Sequence, residues 1–373
     1  MRCILHFIQD SDTSGIFPNL AKWHDKTRYR ILFASLNKFD SRLSEYMQTQ
    51  GVECFSCDVE SRKDFPAAVL KIGSYLKKEK VDILHAHLFE PSVVGLLGAV
   101  LARTKYRVMT RHYSDYHTRV NKNWHVRIDQ MCNRLSHKII GVSQHTSEHI
   151  INVEHAPPEK VVTIYNGIDF ERVKTSGNDF KSRIRKEFAA EDKFLILTTG
   201  RLHPEKGYPY LFEAVPKLKK LAEKPFLWLI AGKGALQEDF RRKVADLGAD
   251  DVVRFIGFRK DMPDLMGASD LFVLPSVAEA FGVVFAEAIY LGTPIVATKI
   301  GGIPEIVTDG VDGVLIPSAD SNAIAEAVAD LLNNPDKLKS LAGGGREKII
   351  ERFEFEDMTR QYEAVYEELI NGR

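Results

Sequence analysis

The chain has little cysteine for its length, with four cysteines in 373 residues. So few cysteines exclude a disulfide framework and are typical of a reducing compartment. Two of them form the motif Cys54-Phe-Ser-Cys57. A redox or metal role would need a helix beginning just after Cys54, or a second pair of ligands. Because the segment has the pattern of a strand, we interpret both as ordinary, half-buried residues.

Long apolar runs and an excess of one charge are also missing. No stretch approaches the roughly 18 apolar residues of a membrane-spanning helix, and the first apolar run is too short for a secretory signal. Lysine and arginine total 51, as do aspartate and glutamate. The whole chain therefore has no signature of polyanion binding, and no nucleic-acid partner is expected. We expect a cytoplasmic protein.

What the sequence does contain is a regular alternation of short apolar runs and helical patterns. This alternation predicts parallel sheets covered by helices on both faces, and the length suits two domains. The predicted strands are 3–8, 30–35, 52–57, 82–86, 106–110 and 138–142 in the first half, and 194–199, 227–231, 253–256, 271–274 and 294–297 in the second. The predicted helices are 65–79, 91–103, 207–222, 235–247, 283–291 and 320–333.

The alternation is interrupted by a polar stretch around residues 166–190. A turn signal, Asn166-Gly-Ile-Asp169, is followed by the loop-like segment 174–179. We place the boundary between two doubly wound domains there. Ligands of such sheets bind at the carboxyl ends of the strands, so two facing domains would form a cleft between those ends.

The segment 270–305 carries the strongest indication of chemistry. Gly282 permits a ligand to approach the backbone closely, and a helix beginning at Val283 would offer free N–H groups to a phosphate. Phosphate binding does not explain the two carboxylates, Glu279 and Glu287. Carboxylates accept strong hydrogen bonds from sugar hydroxyls. The alternative is a solvated helix face with incidental acidic residues.

A second segment, 199–207, follows a predicted strand and opens a helix. Its Arg201 and Lys206 are suitable counter-charges for a diphosphate, although a basic loop in water is the alternative. A third segment, Gly232-Lys-Gly234, is half of a dinucleotide fingerprint. It lacks the third glycine and an acidic residue about 20 positions later, so no NAD site is expected.

Together these segments resemble glycosyltransferase family 4, a family of retaining enzymes with the GT-B fold. The matching motifs, in a resemblance that spans nearly the whole chain, are Gly200-Arg201, Lys206-Gly207, Ala231–Gly234, Phe255–Gly257, the pair Glu279 and Glu287, Gly292–Ala297, Gly301–Val307, Asp82–His87, Val142-Ser143 and Asn166–Asp169. The resemblance implies an α/β chain with two Rossmann-like doubly wound parallel-sheet domains facing across a cleft. Residues 1–175 would form the acceptor-side domain, completed by a terminal helix at 356–373, and residues 176–355 the donor-binding domain.

The resemblance also implies roles for individual residues. Arg201 and Lys206 would clamp the diphosphate, Glu287 would hold the ribose hydroxyls, and Glu279 would lie near the donor sugar. The remaining donor contacts are expected from the backbone at Phe281, Gly282, Val283, Gly257 and Arg259. His112 resembles a histidine that points at the transferred sugar, although a histidine at a strand end is more often structural.

The first loop departs from the family pattern. Many members carry Gly-Gly there, whereas this chain has Asp10-Ser-Asp-Thr-Ser-Gly15, and we expect Gly15 to keep the backbone contact to the donor. Asp10 and Asp12 spell the metal-binding DxD of a different fold. Asx-turn residues, or contact of Asp12 with an acceptor hydroxyl, are the alternatives. His85 and His87 share one face of a strand, but without an evident third ligand we expect packing or cleft lining.

The stretch 103–138 is locally basic. It would suit an anionic acceptor such as a lipid pyrophosphate, or peripheral attachment to the inner face of a membrane. The alternative is a solvated basic face. Its basic residues are Arg103, Lys105, Arg107, Arg111, Arg119, Lys122, Arg127, Arg134 and Lys138.

The activity implied by the resemblance is hexosyl transfer from a UDP- or GDP-sugar to a glycan, glycolipid or other hydroxyl acceptor. Substitution would occur on one face of the sugar, with the leaving diphosphate assisting and without an essential metal or other cofactor. A nucleotide-sugar epimerase of the same fold, a phosphorylase and a catalytically silent nucleotide-sugar-binding subunit are the alternatives. The donor base, the acceptor and the oligomeric state stay open.

Overall fold

A computed structural model describes residues 1–9, 16–39, 41–113 and 123–372 of the chain. Contacts divide it into two compact units, the first made of Met1–Asp169 and the residues from Phe353 onward, the second of Phe170–Arg352. This division lies slightly before the predicted boundary at residues 175 and 176. The physical reason is that the ring of Phe170 stacks on Tyr290, and Ser176 donates its backbone N–H to Asp264, at 2.7 Å.

The first unit is built on a seven-stranded sheet with the order β3-β2-β1-β4-β5-β6-β7. All of its neighbouring strands are parallel. The strands are β1 (Arg2–Ile8), β2 (Tyr29–Ser35), β3 (Glu53–Ser56), β4 (Ile83–His87), β5 (Tyr106–Arg111), β6 (Lys138–Gly141) and β7 (Val161–Thr163). The order reverses direction between β1 and β4, the place where doubly wound sheets bind ligands.

The second unit has a six-stranded parallel sheet with the order β10-β9-β8-β11-β12-β13. Its strands are β8 (Phe194–Thr199), β9 (Phe226–Ala231), β10 (Val253–Gly257), β11 (Leu271–Leu274), β12 (Ile295–Thr298) and β13 (Gly313–Ile316). The reversal here lies between β8 and β11. The predicted fold class, two doubly wound parallel-sheet α/β domains, is confirmed.

Helices connect the strands within each unit. In the first unit the described helices are α1 (Ile16–Trp23), α2 (Ser41–Thr49), α3 (Phe65–Lys78), α4 (Phe89–Ala102), α5 (Asn123–Leu135) and α6 (Gln144–Asn152). In the second unit and the terminal segment they are α7 (Phe180–Glu187), α8 (Tyr208–Leu221), α9 (Gln237–Asp246), α10 (Met262–Ala268), α11 (Val283–Tyr290), α12 (Ile303–Ile306), α13 (Ser321–Asn333), α14 (Pro335–Leu341), α15 (Arg346–Phe353) and α16 (Phe355–Asn371).

Side chains of the central strands alternate between two buried faces, which explains why these strands are apolar throughout. In the first unit, Leu5 belongs to the core on one face of the sheet and Ile4 to the core on the other. Helix α16 packs into the second of these cores through Met358 and Tyr362, among others. The last helix of the chain is therefore part of the interior of the first unit.

Two further expectations concern the cysteines and the membrane. Cys57 is buried and Cys54 half-buried, both with free thiols. Burial raises the pKa of Cys54 to about 11 and that of Cys57 to about 12, which disfavours a reactive thiolate. In the part of the chain that the structure describes, no helix combines the length and apolarity needed to cross a bilayer.

Candidate functional site

The predicted donor residues of the second unit follow the carboxyl ends of neighbouring strands. Arg201 and Lys206 come after β8, and Glu279 comes after β11, which pairs with β8. Neighbouring parallel strands end at the same edge of a sheet, so the two loops meet there. The structure brings Lys206 and Glu279 into direct contact.

The two loops are held together through their backbones. Gly207 has a left-handed conformation, with φ of +74°, and a Cβ atom there would lie 1.8 Å from the carbonyl oxygen of Pro275. The backbone N–H of Val277 donates to the carbonyl of Glu205 at 2.7 Å. Only glycine permits this approach, which explains the Lys206-Gly207 pair in physical terms.

Lys206 and Glu279 form an ion pair, with 2.6 Å between Lys206 Nζ and Glu279 Oε2. Their side chains are 18% and 12% exposed, respectively. The hydroxyl of Ser276 lies 3.4 Å from the same carboxylate oxygen. The lysine predicted to meet the diphosphate is thus already neutralised by the acid predicted to meet the sugar. An incoming diphosphate has to compete with Glu279 for this lysine.

The position of Glu279 is fixed by the segment that precedes α12. A Cβ atom at Gly301, where φ is +54°, would lie 1.9 Å from the carbonyl oxygen of Glu279. That same oxygen accepts a hydrogen bond from the backbone N–H of Gly302 at 3.2 Å. Backbone contacts, rather than the Glu279 side chain, therefore hold this loop in place.

Helix α11 begins directly after the Glu279 loop. Its N-cap is Gly282, with φ of +94°. Among the described residues the N–H groups of Val283 and Val284 have no acceptor, whereas that of Phe285 donates to the carbonyl of Gly282 at 3.0 Å. The helix dipole makes this end favourable for negative charge. The side chain of Phe281 is buried, so this residue can contribute to a ligand only through its backbone, as predicted.

Glu287 lies one turn inside α11 and is only partly exposed. Within the described residues its carboxylate accepts no hydrogen bond. Burial raises its pKa to about 7, against a smaller lowering by Arg172. A carboxylate that is partly desolvated and has unsatisfied acceptors can gain strongly from ligand hydroxyls.

Arg201 and Arg259 differ in the state of their side chains. Arg201 is exposed, and its guanidinium has no partner in the described ranges. Arg259 instead contacts Glu187 at 2.6 Å and Asp261 at 2.8 Å, and hydrogen bonds to these two carboxylates raise its pKa. Of the two, Arg201 is available to an anion, while Arg259 offers its backbone beside Gly257.

Comparison with known proteins identifies the family of the chain. The sequence matches the model of Glycosyltransferase Family 4 over residues 19–172 and that of Glycosyl transferases group 1 over residues 179–348. The chain belongs to glycosyltransferase family 4. The predicted enzyme class, a hexosyltransferase-type glycosyltransferase, is confirmed.

Relatives of this family 4 chain are similar along most of their length. It is 26% identical to N-acetyl-alpha-D-glucosaminyl L-malate synthase of Bacillus anthracis over 82% of this chain and 79% of the other. It is 26% identical to the UDP-Gal:alpha-D-GlcNAc-diphosphoundecaprenol alpha-1,3-galactosyltransferase of Escherichia coli, over 81% and 79%. The crystal structure of Anabaena Alr3699/HepE in complex with UDP-glucose superimposes with a TM-score of 0.83 and 25% identity, over 98% and 100%. The chain thus has the GT-B fold.

His112, the predicted catalytic residue of the first unit, follows the end of β5 and is partly buried. Its Nε2 lies 3.3 Å from Nδ1 of His87. Burial lowers the pKa of His112 to about 4, so the ring is neutral at neutral pH. A neutral ring can donate from one nitrogen and accept at the other.

A third histidine, which the sequence did not indicate, lies beside His85 and His87. His6 on β1 is in register with His85, and ligand nitrogens of the three lie within 4.8 Å of one another. The statement that no third ligand was evident was therefore wrong. The signal that could have found His6 is the neighbouring position of β1 and β4 in a doubly wound sheet. The nitrogens of these rings are, however, already hydrogen-bonded to protein groups.

Three predicted residues of the first loop, Asp10, Asp12 and Gly15, lie outside the described residues. The same holds for part of the basic stretch 103–138, including Arg119 and Lys122. Within the described part, one basic residue does not belong to a surface at all. Arg111 is buried and pairs with Asp129 and Glu154.

Other basic groups of this stretch are also engaged internally. Arg107 donates to the carbonyl oxygens of Leu135 and Thr104, at 2.7 and 3.0 Å. Lys138 pairs with Glu368 at 2.7 Å. Arg111 is therefore not available to a ligand or a membrane surface, and Arg107 and Lys138 are engaged by protein groups. The anionic acceptor and the membrane surface stay predictions for the rest of the basic stretch.

Proposed function

We propose that this family 4 enzyme moves a hexose from a UDP-sugar, or alternatively a GDP-sugar, to a hydroxyl acceptor with retention of configuration. The observation that carries the proposal is the set of unsatisfied groups around the start of α11. Among the described residues these are the exposed guanidinium of Arg201, the carboxylate of Glu287 and the free N–H groups of Val283 and Val284. Together they match a diphosphate joined to a ribose.

In the proposed complex, the diphosphate lies between Arg201, Lys206 and the start of α11. These cationic groups and dipoles neutralise the charge that grows on the diphosphate as it leaves. Glu287 accepts hydrogen bonds from the ribose hydroxyls. When the diphosphate engages Lys206, Glu279 is released from its ion pair and becomes free to accept hydrogen bonds from the sugar.

The proposed step is a substitution on one face of the sugar ring. The bond between the anomeric carbon and the diphosphate oxygen breaks, and a bond from the acceptor oxygen to that carbon forms on the same face. The acceptor's proton passes to the departing diphosphate. No carboxylate is assigned as nucleophile, since Glu279 is assigned to hydroxyls of the sugar and Glu287 to the ribose, so a double displacement is not part of the proposal. The charge on the leaving group is neutralised by protein cations, so we propose that no metal is essential.

UDP-glucose is the first donor to test, because a solved structure with 25% identity holds UDP-glucose. The acceptor class is less restricted. The Bacillus relative is named for malate and the Escherichia relative for a diphosphate lipid. Both molecules are anionic, and we propose an anionic acceptor that reaches the exposed part of the stretch 103–138, with peripheral membrane attachment as a further possibility for a lipid acceptor.

Calorimetric titration of UDP, GDP and ADP into the wild type and Glu287→Ala tests the donor site. We expect one diphosphate to bind, and the variant to bind it about tenfold more weakly, which corresponds to roughly 1.4 kcal/mol. Glu326→Ala, a change of the same kind on α13, is the control and should bind like the wild type. Equal affinities in Glu287→Ala and the wild type would contradict the ribose assignment.

Turnover separates transfer from the alternative activities. Incubation with UDP-glucose and an acceptor, with and without a chelator, should release UDP and form an α-linked product in both cases. Formation of an epimeric UDP-sugar without acceptor would favour the epimerase alternative. Tight UDP binding without any turnover would favour a silent subunit, and loss of activity with the chelator would contradict the metal-independent mechanism.

A further inference from the structure

A continuous chain of hydrogen bonds runs through the interior of the first unit to His112. It begins at Glu363 on α16, whose Oε1 is 2.9 Å from Nδ1 of His24. The next contacts are His24 Nε2 to His6 Nε2 at 3.0 Å and His6 Nδ1 to His87 Nε2 at 3.0 Å. The chain ends with His87 Nδ1 and His112 Nε2, at 3.3 Å.

The chain is shielded from water along most of its length. His6, His24, His87 and Glu363 are all buried. Burial and the neighbouring imidazoles hold the pKa of His6 and of His87 well below the ordinary value, so these rings are neutral. A neutral imidazole has one N–H donor and one acceptor nitrogen, so each link in the chain must be one N–H facing one lone pair.

The direction of every link follows from the first. The carboxylate of Glu363 only accepts, and the same oxygen also accepts the backbone N–H of Asp25 at 2.9 Å. A neutral His24 must then donate from Nδ1 and accept at Nε2. His6 donates from Nε2 to His24 and accepts at Nδ1 from Nε2 of His87. His87 in turn accepts at Nδ1 from Nε2 of His112. His112 is therefore protonated at Nε2.

The open end of the chain is Nδ1 of His112. In the portion of the chain that the structure describes, this nitrogen has no hydrogen-bond partner, and its lone pair is unsatisfied. With a neutral His24, the opposite direction of the chain would leave its Nδ1 unprotonated against a carboxylate, two acceptors facing each other, which is unfavourable in a buried site. A doubly protonated His24 would reverse the direction and place a proton on Nδ1 of His112, which is the result that overturns the proposal below.

We propose that Glu363 is a positioning residue that sets the tautomers of His24, His6 and His87, so that His112 presents Nδ1 as a hydrogen-bond acceptor to a hydroxyl of the bound sugar. This rests on the proposed function, and on the family resemblance, which implies that His112 points at the transferred sugar. The C-terminal helix thereby determines that the side chain of His112 accepts from, rather than donates to, its ligand.

A metal bound by His6, His85 and His87 is the competing use of these rings. Both nitrogens of His85 already have partners, Tyr366 at 2.6 Å and Thr110 at 2.7 Å, and those of His6 and His87 serve the chain. Binding of a metal would break at least one hydrogen bond of each of the three imidazole rings. Metal analysis of the purified protein therefore belongs to the test, and one metal ion per chain would overturn the proposal.

The first measurement is made on the unmodified protein and needs no substrate. Long-range proton–nitrogen NMR spectra of the protein labelled with ring-¹⁵N histidine distinguish protonated from unprotonated imidazole nitrogens. The signal of His112 is assigned by its loss in His112→Gln. We expect Nδ1 of His112 to be unprotonated and Nε2 protonated at pH 7.5. Protonation at Nδ1 would overturn the proposal, even if every variant below failed to fold.

The second measurement compares Glu363→Ala with Glu363→Gln. The amide oxygen of glutamine can still accept from His24 and Asp25, so Glu363→Gln should keep the tautomer of His112 and a kcat for UDP-glucose within about threefold of the wild type. Glu363→Ala removes the acceptor and should give mixed tautomers and a kcat lower by about tenfold or more. Glu368→Ala, one turn later and paired with Lys138 at the surface, is the matched control and should change neither.

The outcomes distinguish this inference from the proposed function. Binding of UDP depends on groups of the second unit and should be unchanged in Glu363→Ala, so a change in kcat with constant UDP affinity supports the proposal. Loss of kcat in Glu363→Ala without a change in the His112 signals would overturn it and leave the donor site intact. A wild type that binds no UDP, with the expected His112 tautomer, would contradict the donor assignment alone.

Discussion

The donor residues of the second unit and the histidine chain of the first unit use polar groups in opposite ways. Among the residues that the structure describes, Arg201 and Glu287 have polar atoms without protein partners, whereas His6, His24 and His87 have a partner for each ring nitrogen. Unsatisfied groups in a partly exposed site keep their interaction energy for a ligand. A saturated, buried network instead fixes orientation, since breaking any link leaves an unpaired polar atom.

This difference predicts which substitutions affect activity and which affect the stability of the fold. Changes among the donor residues should affect ligand binding and turnover but hardly affect folding. Changes in the histidine chain should cost folding free energy first. Lys206 and Glu279 lie between these extremes, because they satisfy each other until a ligand arrives.

The largest effect is expected from Lys206→Ala. Loss of one preorganised cation at the leaving group should lower kcat about 100- to 1000-fold, with a smaller loss of stability than in a variant of the histidine chain. Steady-state turnover of UDP-glucose and thermal melting check this. Lys219→Ala, which removes a surface lysine paired with Asp251 on the same unit, is the control. Near-normal kcat in Lys206→Ala would contradict the clamp assignment.

In the histidine chain, His6→Leu should lower the free energy of unfolding by about 3 kcal/mol. The substitution leaves Nε2 of His24 and Nε2 of His87 without partners, and each buried orphan costs about 1–3 kcal/mol. Urea unfolding measures the change. Arg201→Ala is the comparison, and we expect it to stay within about 0.5 kcal/mol of the wild type. Similar losses in both variants would remove the distinction between the two regions.

Glu279→Ala tests the intermediate pair. Lys206 is freed from its ion pair, so the affinity for UDP should be equal to or higher than that of the wild type. Turnover should nevertheless fall about tenfold to 100-fold, because the donor sugar loses an acceptor. Calorimetry with UDP and turnover of UDP-glucose give the two quantities. Parallel losses in both would show that Glu279 serves the nucleotide rather than the sugar.

The smallest effect is expected on the pH dependence of stability that is linked to Glu287. Burial raises the pKa of Glu287 to about 7, so its folded-state pKa lies above the unfolded one. The stability linked to this group is present at low pH and is lost as the pH rises towards 7. Glu287→Gln should therefore be more stable than the wild type at pH 8, by roughly 2 kcal/mol once the partial exposure of Glu287 is allowed for, and equally stable near pH 4.5. Urea unfolding at both pH values checks the sign, and a variant less stable at pH 8 would contradict it.

The repeated elements were predictable because their signal is local. Strand β8 was predicted at 194–199, as observed, and α11 was predicted one residue too long. The missed strands are short: β7 has three residues, and β13 begins at a glycine directly after a polar turn. The donor motifs were predictable because each is a contiguous segment beside a strand end.

The histidine chain was not predictable from one sequence, because its links join distant positions. His24 and Glu363 are 339 residues apart in the sequence, and no local pattern connects them. The ion pair between Lys206 and Glu279 was missed for the same reason. Both residues had been assigned to a ligand, whereas the folded chain in the absence of ligand pairs them with each other.

The position of α16 in the sequence also determines when the first unit can complete its fold during synthesis. The second unit is continuous from Phe170 to Arg352, but the first unit needs α16, which is made after it. At a synthesis rate of roughly 5–20 residues per second, the ribosome needs about 10–40 s between the end of the first segment and the arrival of the closing helix. During that interval the face that receives Met358 and Tyr362 is uncovered. The nascent first unit is therefore the part of this enzyme most in need of a chaperone, although it is made first.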